Sequence, residues 1–187
     1  MGRVLPITPV QILWINIVTE GTVTVNLIMD PPEGDEMQRK PMSLAEPLLT
    51  RVLLKRVLLM TPVMAASTFG YLIWRLAADI PFAQVQTETF TVLAACQWFN
   101  VLNCQSATQS VFSNRLISNK WLIGGLVIGI LLQFSVIYSE TMNALFHTVP
   151  IPPADFLPII AAASLVLWFE ESRKLIVKIL SRNKPAG

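Results

Sequence analysis

Charged residues are scarce in this chain. Asp, Glu, Lys and Arg make up 14% of its 187 residues, well below the roughly 25% of an average soluble domain. Histidine occurs once and cysteine twice, and they form no cluster with metal-ligand spacing. The sequence has no glycine-rich phosphate loop and no Ser/His/Asp set for acyl transfer, and its loops are too short to fold a catalytic domain. We therefore expect no nucleotide hydrolysis by this chain alone.

Apolar residues dominate instead. They make up 53% of the chain, and a spanning helix needs about 20 mostly apolar residues. Five stretches come close to this length, so the sequence predicts an all-α membrane protein with a bundle of five transmembrane helices. The whole chain, residues 1–187, is expected to be a single transmembrane domain. The predicted spans cover about 9–29, 57–77, 88–109, 121–139 and 154–171, with a cytoplasmic loop over 30–50.

Lys and Arg are distributed unevenly between the predicted loops. If the amino terminus lies outside, only Arg3 and Arg75 of the 14 basic residues lie on that side. Cytoplasmic segments carry the excess of positive charge, so the orientation N-out and C-in is predicted. Because no cleavable signal precedes the first span, this orientation suggests that earlier spans of a longer protein place the amino-terminal end outside.

A polar cluster interrupts the first predicted span, in the stretch TPVQILWINIVTEGTVTVNLIM. On a helix Asn16, Thr19 and Glu20 project to one face, because residues three and four apart are neighbours. Gly21 weakens the helix here, and local unwinding would free carbonyl oxygens beside Glu20. Oxygen ligands of these kinds suit a hard cation, and an intramembrane ionisable residue is by default a functional hypothesis. The alternative is a protonated Glu20 that hydrogen-bonds between helices.

The third predicted span carries an amide at every third position, at Gln97, Asn100 and Asn103. A polar stripe in an apolar helix should face protein rather than lipid. Interhelical hydrogen bonding explains Asn103 well. For Gln97, near mid-depth, both interpretations stay open: a hydrogen bond between helices, or a contact with the oxygen cluster of the first span.

Two further features are expected to be structural. Gly125 and Gly129 form a GxxxG motif in the fourth span, with Gly124 beside it, and this motif permits close helix packing. Arg75, near the outer end of the second span, is expected to extend its guanidinium to the membrane surface while its stem stays in apolar surroundings.

Two stretches of the sequence resemble a known family. LPITPVQILWINIVTEGTVTVNLIMDPPEGDEM resembles the sixth membrane helix of P-type cation-transporting ATPases and the acidic loop that follows it. The calcium-pump branch has Asn-x-x-Thr-Asp-Gly there, and this chain has Asn16, Thr19, Glu20 and Gly21. WFNVLNCQSATQSVF resembles the eighth helix. The resemblance covers nearly the whole chain, as helices six to ten of the family.

The resemblance implies a role for particular residues. Asn16, Thr19 and Glu20 match positions that ligate the transported cation, and Gln97 lies where some calcium pumps have a further carboxylate. Glu20 stands where Asp is usual, and Gln97 is neutral. Since Ca²⁺ affinity depends on the charge of the ligands, one carboxylate suggests a single site for Ca²⁺ or another divalent ion. Asn16, Thr19, Glu20 and Gln97 are thus the candidate cation ligands.

The same resemblance implies what the chain does and what it needs. It would be the carboxy-terminal membrane domain of an ATP-driven cation pump, multi-pass and in the plasma membrane. Its partners would be membrane lipids and the missing helices and cytoplasmic domains, which hold the Asp-Lys-Thr-Gly-Thr motif and bind Mg-ATP; no nucleic acid is expected. One alternative is a membrane scaffold or accessory fragment whose buried polar residues only pack helices. The other is a small passive channel or carrier.

Overall fold

The structure is a computed structural model that describes residues 5–29, 51–105, 111 and 119–182. Within these ranges every regular element is helical, which confirms the predicted all-α fold. The predicted loop over 30–50 lies outside the described residues. The α-helices are α1 (Pro9–Val18), α2 (Arg51–Ala77), α3 (Phe82–Cys104), α4 (Lys120–Tyr138), α5 (Glu140–Phe146) and α6 (Phe156–Arg182). A π-helical segment (Thr19–Thr24, the π segment below) and a 3₁₀ segment (Val25–Met29) continue α1, and Pro153–Asp155 forms a 3₁₀ turn.

The start of α1 is set by local chemistry. The hydroxyl oxygen of Thr8 accepts from the backbone N–H of Gln11 at 3.4 Å, and the side-chain oxygen of Gln11 accepts from the backbone N–H of Thr8 at 3.0 Å. With Pro9 at the first helical position, this is a capping box, which satisfies amide groups that a helix start leaves unpaired. The side-chain amide of Gln11 also donates to the carbonyl of Phe146 at 3.0 Å, which ties α1 to α5.

Four helices in the described part of the chain are long and apolar enough to cross a membrane: Pro9–Met29, Leu53–Ala77, Lys120–Tyr138 and Pro153–Ile179. The third predicted span is present as α3, with 23 residues. It is long enough to cross a membrane, but it is less apolar than the other four helices. Thr87, Thr89 and Thr91 are buried in it, and each hydroxyl donates to a backbone carbonyl four residues earlier. These polar side chains are therefore in contact with protein and need no apolar surroundings of lipid. The number of five spans stays a prediction.

The core surrounds α3. On one side Val92, Ala95 and Cys96 pack with residues of α2 and α6, and on another Phe90 and Ala94 pack with Ile15 of α1 and with α4 and α5. The helix α3 is consequently the central element, with α2 and α6 on one side and α1 and α4 on the other.

The side chain of Arg75 is buried and paired instead of extended toward solvent, so that prediction was wrong. It is only 8% exposed, and its Nε and Nη2 atoms each donate to a different carboxylate oxygen of Glu88 at 2.7 Å. Its Nη2 also pairs with Oδ2 of Asp155 at 3.0 Å, while Tyr71 and Gln84 donate to Glu88. The guanidinium is buried because two carboxylates, of Glu88 in α3 and of Asp155 in the 3₁₀ turn, lie within hydrogen-bonding distance of it. We call these five residues the Arg75 cluster.

A second set of polar contacts joins α2, α3 and α6 away from the Arg75 cluster. Glu170, with none of its surface exposed, pairs with Arg56 of α2 at 3.2 Å and with Arg173 at 2.7 Å. Arg56 also donates to the backbone carbonyl of Asn103. The side-chain amide of Asn103 donates to the carbonyl of Val166 at 3.1 Å, which confirms the interhelical hydrogen bond predicted for this residue. Arg56, Asn103, Glu170 and Arg173 form the Glu170 cluster.

Candidate functional site

The helix α1 has a packed face and an open face. Ile15 and Val18 are buried against the bundle, whereas Leu13, Asn16 and Ile17 are exposed. Asn16 is the polar member of this open face, and no hydrogen bond joins its side chain to another residue in the described part of the chain. The side-chain amide of Asn16 thus lies on an otherwise apolar helix surface, one turn before Thr19, another of the predicted cation ligands.

The helix changes its pitch where the polar cluster begins. Thr19, only 8% exposed, is the first residue of the π segment, and Glu20 and Gly21 follow it. The sequence suggested that the backbone unwinds here. Instead it widens to a π-helix, in which N–H groups bond to carbonyls five residues earlier. Wide turns of this kind occur inside α-helices frequently at functional sites. The side chain of Glu20 lies outside the described residues.

Side-chain donors take up carbonyl groups in and beside the π segment. The hydroxyl of Thr22 donates to the carbonyl of Val18 at 2.6 Å, and the amide of Asn26 donates to the carbonyl of Thr22 at 2.7 Å. These bonds stabilise the wide turn, because a change of helical pitch breaks the regular ladder of backbone hydrogen bonds.

Gln97 lies in the wall of a cleft of about 350 Å³ between α2, α3 and the residues that precede α1. Its neighbours in that wall include Thr61 and Thr68 of α2, and Ile7. Gln97 is partly buried, and one residue further along α3 Trp98 packs against the two clusters of buried side chains to which Ile15 and Val23 belong. Gln97 therefore faces the cleft between α2 and the residues that precede α1.

The structure brings the candidate ligands together only in part. Asn16 and Thr19 follow each other along one helix, while no hydrogen bond among the described side chains joins Gln97 to either of them. The described residues also contain no group of three or more His, Cys, Asp or Glu side chains that could hold a metal ion. The assignment of Asn16, Thr19, Glu20 and Gln97 to one cation site stays a prediction.

Two parts of this region were not foreseen from the sequence. One is the π segment, for which Gly21 was the only signal. The other is the Arg75 cluster, whose carboxylate Glu88 stands at the very start of the third predicted span, at the end of the polar run QVQTE. In both cases the sequence shows an unusual residue, but the packing that gives it a role comes from another helix.

Nearly the whole sequence matches one family of membrane proteins. The family is described as "Cation transporting ATPase, C-terminus", and residues 4–176 match it. The chain is 37% identical over 162 residues to the calcium-transporting ATPase of Bacillus subtilis (strain 168), which is 86% of this chain and 18% of that protein. It is 31% identical over 185 residues to the calcium-transporting ATPase type 2C member 2 of Mus musculus, with 96% of this chain and 19% of that protein covered.

A third relative is the probable cation-transporting ATPase F of Mycobacterium tuberculosis (strain ATCC 25618 / H37Rv), 31% identical over 179 residues, which are 96% of this chain and 20% of that protein. The chain therefore spans about a fifth of the length of the curated relatives it matches.

Proposed function

Because the chain belongs to the family of cation-transporting P-type ATPases, as their carboxy-terminal membrane domain, we propose that it supplies one wall of the intramembrane cation site of an ATP-driven pump. In this proposal α1 and the π segment form the wall, and Asn16, Thr19 and Glu20 are cation ligands on it. Gln97 belongs to the cleft between α2, α3 and the residues that precede α1.

The observation that carries the proposal is the open face of α1 beside a change of helical pitch. Asn16 is exposed on a helix whose other side is fully packed. Gly21 is exposed too, and a Cβ atom placed on it would meet no heavy atom of the described residues within 4 Å. Within the described part of the chain, space is thus left beside Asn16 and Gly21 on the side away from the bundle, whereas Thr19 is buried. Polypeptide that lies beyond this chain in the pump would fill the space and complete the ligand shell.

Only a pump longer than this chain would perform transport. The cytoplasmic domains would bind Mg-ATP and carry the phosphorylated aspartate, and the loop over 30–50 would face them. The present residues would bind and orient the cation and exclude water from it. The proposed orientation is N-out and C-in in the plasma membrane, with Lys55 close to anionic lipid headgroups.

We propose Ca²⁺ as the transported ion. Two of the relatives described above are named calcium-transporting ATPases, and carboxylate, amide and hydroxyl oxygens are the ligands that Ca²⁺ prefers. Glu20 is the only carboxylate among the four proposed ligands. Since affinity for Ca²⁺ depends on ligand charge, this favours one bound ion per transport cycle rather than two.

The test is the Glu20→Gln substitution in the complete pump that carries this segment. The variant keeps the size of the side chain and removes its charge, so we expect the Ca²⁺ concentration for half-maximal ATPase activity to rise by about tenfold or more, in line with the dependence of affinity on ligand charge. The matched control is Glu140→Gln, the same chemical change at an exposed residue of α5, for which we expect no shift.

An unchanged Ca²⁺ response in a folded Glu20→Gln pump would contradict the proposal and favour a scaffold in which Glu20 only holds helices together. Repeating the titration with other divalent ions tests the choice of ion. If a different divalent ion stimulates the wild-type pump at lower concentration, and Glu20→Gln weakens that response, the site stands and the identity of the ion changes.

A further inference from the structure

The glycines of α4 touch the π segment directly. Gly125 and Gly129 are buried, one turn apart, whereas Gly124, which directly precedes Gly125, is exposed. A Cβ atom on Gly125 would overlap the backbone carbonyl oxygen of Thr22 and would lie 2.5 Å from the side-chain nitrogen of Asn26. A Cβ on Gly129 would lie 3.2 Å from the hydroxyl oxygen of Thr22. The predicted close packing at the GxxxG motif is confirmed, and the surface it packs on is the wide turn.

A second contact from α4 holds the segment that follows. The side-chain oxygen of Asn119 accepts from the backbone N–H of Leu122 at 2.9 Å, and so caps the start of α4. Its side-chain nitrogen donates to the backbone carbonyl of Asn26 at 3.0 Å. Asn26 in turn donates to Thr22, as described above. One helix therefore contacts the π segment at two glycines and the 3₁₀ segment at its capping residue.

The opposite side of the π segment rests on α3. Val23 has none of its surface exposed and packs with Val101 of α3 and Leu122 of α4. Trp98 of α3 packs against the same group, and its Nε1 atom would lie 3.6 Å from a Cβ on Gly129. The wide turn is thus enclosed by α3 and α4, while Asn16 and Gly21 face away from both.

We infer that α4 positions the cation ligands, and that Gly125 and Gly129 are positioning residues, which act through the backbone of Thr22. This inference rests on the proposed function. Thr22 lies in the same π segment as Thr19 and Glu20, and backbone hydrogen bonds five residues apart run across that segment. A methyl group at Gly125 cannot be accommodated by a side-chain rotation, because its neighbour is a main-chain carbonyl. The segment must shift, and the ligands shift with it.

The experiment uses the complete pump and three alanine substitutions on α4. Gly124→Ala is the control, because a Cβ there meets no heavy atom of the described residues within 4 Å and it shares the gain in helix propensity with the other two. For Gly125→Ala we expect the Ca²⁺ concentration for half-maximal activity to rise by about tenfold or more, since a misplacement of about 1 Å costs up to about a hundredfold. Gly129→Ala should raise it by about two- to threefold, since the hydroxyl of Thr22 can give way. Gly124→Ala should change it by less than about twofold.

A purely structural role predicts a different pattern. It lowers the thermal stability of the purified pump and the amount of active protein, with the Ca²⁺ response unchanged, whereas a positioning role raises the half-maximal Ca²⁺ concentration while the rate at saturating Ca²⁺ persists. If Gly125→Ala does not fold, Gly129→Ala decides by the same criterion. The inference is overturned if the folded variants at 125 and 129 respond to Ca²⁺ like Gly124→Ala. Glu20→Gln, measured alongside, separates the two failures: a shift there with none at the glycines rejects only the role of α4.

Discussion

Replacing Arg75 by methionine should destabilise the bundle strongly, although the residue lies far along the chain from the candidate ligands. Its guanidinium is held by two bonds of 2.7 Å to Glu88 and by one contact of 3.0 Å to Asp155. Glu88 is completely buried. Met fills most of the volume of the Arg stem but supplies no charge, so the substitution leaves a buried carboxylate without its cation.

The expected magnitude follows from which charges lose their partners. Removing one partner of a buried ion pair costs about 3–5 kcal/mol. Arg75→Met should lie at the upper end of that range, because two carboxylates lose their cation. Glu88→Leu should lie near its lower end, at about 3 kcal/mol, because Arg75 keeps Asp155. In the double variant the buried pair is absent altogether, and replacement of a buried pair by apolar residues is often nearly neutral. The double variant should therefore be more stable than the sum of the single costs predicts, by at least about 1.5 kcal/mol.

The free energy of unfolding can be measured by titrating the purified pump in mixed micelles with sodium dodecyl sulfate and following the far-ultraviolet circular dichroism. Lys55→Met serves as the control, because it removes a cation from an exposed position on α2 and should stay within about 0.5 kcal/mol of wild type. Strictly additive costs of the two single variants, within about 0.5 kcal/mol, would refute the reasoning, because they would show that Arg75 and Glu88 do not act as a pair.

Two further predictions concern other parts of the molecule. Asn103→Leu should cost about 0.5–1.5 kcal/mol in the same unfolding assay, because it removes the hydrogen bond to the carbonyl of Val166, which keeps its partner within the helix; wild-type stability would show that this bond contributes nothing. The half-maximal Ca²⁺ concentration should rise as the pH falls, because protons and the cation compete for the carboxylate of Glu20, and Glu20→Gln should flatten this dependence. The check is a Ca²⁺ titration at several pH values, and an equal slope in both proteins would reject competition at this residue.

Local signals predicted the start of the first membrane helix accurately. Thr8, Pro9 and Gln11 are neighbours in sequence, and the capping box they form needs no other helix. The predicted start near residue 9 agrees with the observed start of α1 at Pro9 for this reason. The last helix shows the opposite case: it was expected to end near 171, where charges begin, but it continues to Arg182. Charged residues such as Glu170 remain inside it because they are paired with Arg56 and Arg173.

The candidate site could be predicted only as a set of residue types. The sequence shows an amide, a hydroxyl and a carboxylate at helical spacing. The structure adds that Asn16 is exposed and that Thr19 is buried. The pitch of the helix at Thr19 was not predictable from Gly21 alone, because the carbonyl of Thr22 is contacted by Gly125, about a hundred residues later in the chain. The partners of Arg75 escaped prediction for the same reason, since a buried charge is paired by whichever helix packs beside it.

The bundle has two parts that are held by different contacts: one by buried ion pairs, the other by apolar and backbone packing. The helices α2, α3 and α6 are joined by buried ion pairs of the Arg75 cluster and the Glu170 cluster, and sliding them apart would leave charges unpaired. By contrast, α1 has no charged residue between Pro9 and Val18, and its continuation rests on the glycine face of α4. Apolar and backbone contacts permit small shifts between two packed arrangements, which a cation site with alternating access requires. Arg75→Met should therefore lower stability and leave the Ca²⁺ response of the folded pump intact, whereas Gly125→Ala should change the response first. The two substitutions separate what holds the domain together from what places the ion.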